Sequence, residues 1–479
     1  MTDIDAYISV HEKPTIGRRT ALKAGAAAGA FAAFAALGSQ PAGAQGRSGR
    51  KSSPDYGPLY PTRDLVTGLE LLALPEGFSY MSYGWTGQIM DDGRPTPTDH
   101  DGMAVVAQKM NGSQVVMVRN HENSEGEGPQ AFVEGGMYNP RQFGGTTNLV
   151  FDLKKKRFVE SYNSLGGTVR NCAGGLTPWR SWISCEETFH TFDDGRFGDV
   201  NHGYIFDVPA YRPSNGVPIR SAGRFSHEAV AVDPRTGIVY ETEDARPSGL
   251  FAYHNPGGPG HLEDGGDLYA YAITDDPGAD LSASFANGTR FQGEWVKVED
   301  PEGREGRPLD SAPGAALFSR LEGIWYTRGN IVFISTDGGD AGLGQVWLLN
   351  PKNDELRLIY ESTDPAVLDG PDNVAATAAG ALLLCEDGDS DPKRMIGLSR
   401  SGDLFDFCHN NTELKAGDID VIDGIYPGTK DNFWDDAVGD YTSREWAGAT
   451  FHGDWLFANI QSPGVTFAIT GPWFLGALG

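Results

Sequence analysis

Short apolar runs that stop abruptly in acid recur along this chain. In "GALLLCEDGDSD", residues 380–391, the stretch Ala381 to Leu384 passes through Cys385 into Glu386, Asp387, Asp389 and Asp391. "SQVVMVRNHENSEG" does the same from Val115 to Glu122, as does "WRSWISCEETFH", which ends in Cys185-Glu186-Glu187. "TGIVYETEDARPSG" ends in Glu241, Glu243 and Asp244, "RGNIVFISTDGGDAGLG" in Asp337 and Asp340, and "GDWLFANIQSPG" in Asn459 and Gln461. Several copies follow a companion run: "GRFSHEAVAVDPRTG", "RLEGIWYTRGN", "LDGPDNVAATAAG" and "EWAGATFHG". A polar site, a short strand, a turn such as Thr236-Gly237 and a second strand make a β-meander unit. Such a unit cannot bury both faces alone, so copies must pack side by side. The pattern therefore predicts an all-β fold, a six-bladed β-propeller with long inter-blade loops, whose longest spacer spans residues 255–312.

A propeller points equivalent strand ends at one axis. Carboxylates that repel one another singly would then meet at one mouth of the channel and form a ligand shell for hard cations. Surface turns whose acids never meet are the plain alternative, and repetition in one phase argues against it.

Length and composition agree with this picture. The 479 residues include 64 Gly and 29 Pro, turn-rich among many apolar segments. "GRRTALKAGAAAGAFAAFAALGSQPAGA" pairs Arg18 with Arg19, continues into a mild Ala/Gly-rich stretch and closes on Ala42-Gly43-Ala44. Residues 1–44 resemble a twin-arginine export signal cleaved before Gln45, residues 45–57 a flexible lead-in, and residues 58–479 are expected to form a single propeller catalytic domain. The expected location is periplasmic or extracellular, with the twin-arginine translocation machinery as partner. No other segment is apolar enough to hold the mature form in a membrane. A formal charge of -27 argues against nucleic acid, which needs a basic footprint. Oligomeric state leaves no mark in the sequence.

Four cysteines, Cys172, Cys185, Cys385 and Cys408, would in an exported protein suggest one or two bridges. Cys185 and Cys385 each stand directly before an acid, however, which a bridge does not require. Carboxylates and amide oxygens suit calcium, whereas a thiolate recruits a softer ion such as iron. Carboxylates also raise a thiol's pKa, so a thiolate here needs a bound cation. "RNHENS" and "RFSHE" lack the HExxH spacing of a zincin, and His121 and His227 read as structural. "RNCAGGLTPWRSWISCEE" offers Arg170, Asn171 and Arg180 for an anion, with Gly174-Gly175 permitting close backbone approach. Asp310-Ser311-Ala312 matches the tripeptide around the nucleophilic serine of zinc alkaline phosphatases, but their doubly wound α/β pattern is missing.

Taken in order, the twin-arginine signal, "RNHENS", "NCAGGLTPW…SCEET", "GRFSHEAVAVDPRTGIVYETED", "RLEGIWY", "DGPDNVA", "LCEDGD" and "ANIQSPGVTFAITGPW" resemble the PhoX-type alkaline phosphatases over about residues 58–474. The resemblance implies a six-bladed propeller and an exported phosphomonoesterase holding Ca2+ and Fe3+, with a metal-bridging oxide or hydroxide as nucleophile on small phosphomonoesters. By motif it implies Cys185 as the iron-binding thiolate and Glu186 beside it as a ligand. Glu228, Glu322, Glu386, Asp372 and Asn373, with Asn120 and Glu122, would complete the shell. Arg170, Arg180 and Asn171 are the candidates for contacting phosphate. A calcium-dependent, lactonase-like hydrolase and a calcium-stabilised binding propeller without hydrolysis are the alternatives.

Overall fold

The computed structural model describes residues 55–189, 200–432 and 437–479. The expected export signal lies outside the described residues, as does the lead-in apart from its last three positions. Six strands line the axis: His100–Lys109, Asn171–Leu176, His227–Val232, Leu321–Thr327, Pro371–Ala376 and Trp446–His452. Each neighbours the next, and the sixth returns to the first, so the ring is closed. Behind them lie the second strands Gln114–His121, Ser181–Glu186, Val239–Glu243, Asn330–Ser335, Leu382–Glu386 and Trp455–Ile460. These are the six runs of the sequence, five closed by acid and the sixth by Asn459 and Gln461. The repeat phase and the blades coincide.

Each inner strand turns back antiparallel onto its second strand, and third strands follow outward. The second blade has three strands among the described residues, and Arg290–Lys297 joins the outer edges of the third and fourth. Ser79–Tyr83 pairs with Val465–Thr470 and supplies the outer strand of the sixth blade. The ring is thus fastened by joining the two ends of the described chain. Leu72–Pro75 and Leu59–Thr62 extend the fifth blade. The ten-residue helix Ala416–Ile425 between the fifth and sixth blades buries Ile419 and Ile422. No described helix is long and apolar enough to cross a membrane.

The continuous apolar runs have a packing cause. In Leu382–Glu386, Leu382 and Leu384 pack with Val332, Ile334 and Val346 of the fourth blade. Leu383 and Cys385 point the other way, onto Ala449, Leu456 and Ala458 of the sixth. A blade is covered on both faces, so both parities of the strand are apolar. Close approach near the axis requires small residues: a Cβ on Gly175 would lie 1.9 Å from the Val230 carbonyl oxygen. All four cysteines are free thiols, so the bridges weighed from the sequence are not formed.

Candidate metal centre

The first turn of every inner strand carries the same irregularity. Asn171 pairs with Glu186 and Gly174 with Ser184, so three steps on the inner strand match two on its neighbour. The same skip falls between His100 and Met103, His227 and Val230, Leu321 and Ile324, Pro371 and Val374, and Ala447 and Thr450. A bulge of this kind re-aims a side chain that regular pleating would send elsewhere. The residue that opens each skip is Asp101, Cys172, Glu228, Glu322, Asp372 and Gly448, round the ring. Five blades place a ligand type at the bulge. The sixth has glycine at φ 61°, where a Cβ would meet the Asp101 carbonyl oxygen at 2.6 Å. That blade contributes Glu445 instead, from just before its strand.

A second layer comes from the residue following each second strand: Glu122, Glu187, Asp244, Thr336, Asp387 and Gln461. The two layers interlock as four overlapping groups whose ligand atoms lie within 4.8 Å of one another: Asp101, Glu122 and Cys172; Cys172, Glu187 and Glu228; Glu228, Glu322 and Asp372; Asp372, Asp387 and Glu445. Cys172, Glu228 and Asp372 each belong to two groups, so the set is continuous. The bulge carbonyls are clasped from neighbouring second strands. Asn120 Nδ2 donates to Cys172 O at 3.1 Å and Ala173 O at 2.6 Å, Asn459 Nδ2 to Asp101 O at 2.6 Å, and Thr242 Oγ1 to Glu322 O at 2.6 Å.

Within the cluster the Cys172 thiol donates to Glu228 Oε1 at 3.2 Å, and Gln461 Nε2 donates to Glu122 Oε2 at 2.8 Å. Glu228 Oε2 is buried with no hydrogen-bond partner. Burial, and then the neighbouring charges, push the Asp101, Glu228 and Glu322 carboxyls far above their ordinary range, and Asp372 up to about 7. Burial with Asp101 and Glu228 drives the Cys172 thiol up likewise. Without a cation this centre holds protons. Among the described residues two guanidiniums pair with the acids of this cluster. Arg170 pairs with Glu122 at 2.7 Å and with Glu187, and Arg320 with Glu322 at 2.5 Å and with Asp244 at 2.9 Å. Both occupy the residue before an inner strand and hold positive φ, 49° and 44°. Strain of this kind gathers at functional positions.

The expected site residues divide cleanly. Glu122, Glu228, Glu322 and Asp372 join the cluster, and Asn373 Nδ2 donates to Asp372 Oδ1 at 2.8 Å. Arg170 reaches it through its ion pairs. Asn120 does not aim at the centre; it binds the second blade's bulge and accepts from Trp182 and Ser184, both at 2.9 Å. Asn171 is spent on Ser184 Oγ at 2.8 Å and Thr168. Glu186 is fully buried and accepts from the amides of Val169, Gly203 and Tyr204 at 2.9, 2.8 and 3.1 Å, with His202 Nδ1 at 2.6 Å. Glu386 accepts from Arg394 Nε and Nη2, both at 2.7 Å. Cys185 sits among Ile183, Ile205, Phe225 and Val230 rather than in the cluster. Arg180 lies in the turn at the far end of the second blade's first hairpin, past Leu176, itself about 13 Å along the strand from Cys172 at about 3.3 Å per residue.

Asp101, Cys172, Glu187, Asp387, Glu445 and Arg320 are the members the sequence reading did not select. Asp101 and Cys172 carried a signal, a ligand type followed by a small residue at the head of the first strand, which they share with Glu228-Ala229 and Glu322-Gly323; the other four carried none of this kind. His121 and His227 are structural in geometry, with His121 Nδ1 on Thr98 O at 2.8 Å and His227 Nε2 on Gly223 O at 3.2 Å.

A family model described as alkaline phosphatase PhoX matches residues 54–164 and 151–464. Among solved structures the chain is similar to Pseudomonas fluorescens PhoX in complex with vanadate, a transition state analogue. The TM-score is 0.63 at 17% identity, over 88% of this chain and 98% of that one. It is more distantly similar to a Xanthomonas campestris gluconolactonase, at TM-score 0.39 and 11% identity over 87% of this chain and 98% of that one. A Staphylococcus aureus virginiamycin B lyase gives 0.35 and 11% over 82% of this chain and 99% of that one. No curated protein matches. At 17% identity the structural likeness carries the propeller fold alone.

Proposed function

The chain belongs to the alkaline phosphatase PhoX family, and on that premise we propose that it hydrolyses small phosphomonoesters at the axial cluster, using bound calcium and iron(III). The observation that carries this reading is the continuous set of ligand atoms contributed by all six blades. Its donors fit the ions. Eight carboxylates suit calcium, one thiol suits iron, and the orphaned Glu228 Oε2 points to a missing positive partner. Asp101, Cys172, Glu228, Glu322 and Asp372 would hold ions in the buried layer, and Glu122, Glu187, Asp387 and Glu445 in the half-buried layer nearer the mouth.

Bare, this mouth repels a phosphate dianion. When bound, multivalent ions supply Lewis acidity towards the phosphoryl oxygens and the attacking water, and reverse the local field. The chain's part is positional. The clasped bulges fix the ligands before substrate arrives, so the site reorganises little during the reaction. Arg170 and Arg320 stand over the layer nearest solvent, where a guanidinium fork fits two phosphate oxygens. Ligands that carry protons must release them before they bind ions, so ion loading improves as pH rises. That favours an alkaline working range. The Arg18-Arg19 signal supports work outside the cytoplasm, after export by the twin-arginine pathway.

The test is hydrolysis of p-nitrophenyl phosphate by the mature chain. Calcium chelation should abolish turnover and calcium restore it, and vanadate should inhibit competitively. Turnover indifferent to chelation, or none in the ion-loaded chain, would contradict the proposal.

A further inference from the structure

The metal ligands occupy the upper channel, and one large apolar side chain occupies the part beneath them. Trp325 stands on the fourth blade's inner strand, three residues past Glu322 and so about 10 Å deeper at about 3.3 Å per residue. Its side chain is partly buried and packs against three separate apolar layers. One joins the fourth and fifth blades and contains Val332 and Val374. The second draws on the fifth and sixth and contains Ala375 and Ala449. The third draws on the first and second and contains Ala104 and Val106. Neither of those last two blades is next to the fourth in the ring, so this side chain reaches them only by entering the channel. A Trp that merely filled the seam between the fourth and fifth blades would not meet them.

The opposite wall carries a matching irregularity. Beyond its bulge at Asp101, the first blade's inner strand skips again, from Val105 opposite Met117 to Ala107 opposite Val116, with Val106 as the extra residue. Among the described residues no other inner strand skips twice. A bulge re-aims its side chain, and Val106, only 7% exposed, joins the layer that Trp325 packs against. The bore is also narrow: Cα atoms of the second and fourth inner strands come within 8 Å although the third blade stands between them. One indole, the largest of the side chains, fills such a gap.

We propose that Trp325, backed by Val106, seals the channel beneath the ligand cluster, so that the centre meets solvent at one mouth only and a phosphomonoester enters phosphate first.

The seal follows from packing alone, whereas the direction of entry rests on the phosphatase function proposed for the cluster. With the floor closed, the organic part of the ester has no room beyond the ions and points to the mouth. Water reaches the cluster from that side alone, and both products leave by it. An apolar floor also keeps the lower side of the cluster dry, where interactions between charges are stronger.

The test compares calcium loss to a chelator with and without saturating vanadate. In the ion-loaded wild-type chain vanadate at the mouth should slow calcium loss several-fold, because the sole exit is occupied. Trp325→Ala opens a second exit, so this protection should nearly vanish. Trp347→Ala, a comparable loss in the same blade but two strands out from the axis, should keep it. The comparison is made within each variant, so a general loosening that speeds both rates does not imitate the effect. Wild-type loss that bound vanadate does not slow, protection retained by Trp325→Ala, or protection lost equally in Trp347→Ala, overturns the seal. Trp325→Leu shortens the same side chain and gives the same reading if the alanine variant does not fold. A wild-type chain that holds no calcium or no vanadate contradicts the phosphatase reading instead, and the seal is then decided without ions. Cys172 should react with a small thiol reagent several-fold faster in the Trp325 variant than in wild type, and an equal rate overturns the seal.

Discussion

Glu186 and Glu187 are neighbours with separate duties. Glu186 collects three backbone amides and His202, whereas Glu187 joins Cys172 and Glu228. Glu186→Gln should therefore lower stability by about 2–4 kcal/mol, since buried charge-assisted bonds are weakened, and a urea melt reads it. Glu187→Gln should leave the melt nearly unchanged and lower kcat on p-nitrophenyl phosphate by about 10²-fold or more, the usual scale for a lost electrostatic contact at the reacting centre. On the proposed reading the functional thiol is Cys172, the one cysteine within ligand distance of the channel acids among the described residues. The sequence reading selected Cys185 instead, because both "NCAGG" and "SCEE" set a cysteine beside strand ends. Which parity faces the axis depends on where pairing stops, and a one-residue shift exchanges channel for core. Glu386, paired with Arg394, is the same case as Glu186.

At the scale of the element, the second strands and their repeat phase were legible because each is an apolar run closed by acid or, in the sixth, by Asn459 and Gln461. The inner strands were only half legible. A bulge adds one residue without altering composition, so its ligand is displaced from the place that regular pleating predicts. Asp101 and Cys172 escaped selection for that reason, and Glu445 because it stands before its strand, while Glu228, Glu322 and Asp372 were found through the motifs that contain them. The bulges also make a prediction. Gly448 holds φ 61° with the Asp101 carbonyl 2.6 Å from where a Cβ would stand. Gly448→Ala should cost more than about 1 kcal/mol through backbone strain and the steric clash. It should also weaken calcium binding, because the collision displaces the Asp101 strand; a urea melt reads the first effect and calorimetric titration with calcium the second. A variant with wild-type stability and affinity would show that the sixth blade does not constrain the ring.

For the whole molecule, closure of six blades concentrates negative side chains that a less symmetric fold would disperse. The chain stripped of ions should show this in its pH dependence. Asp372 holds its proton up to about 7, whereas an unfolded aspartate releases it near about 4. Over that window the folded state binds more protons than the unfolded one, so the stability of the chelated protein falls as pH rises from about 4 through about 7. Saturating calcium should flatten or reverse that slope, because bound ions favour the ionised form; thermal melts across pH with and without calcium decide it. The most direct test of the central claim is the iron and calcium content per chain of the purified mature protein, measured beside Cys172→Ser. The account predicts both metals in the native chain, with calcium retained and iron lost in the variant. A native chain free of multivalent ions, or iron unchanged by the loss of Cys172, would contradict it.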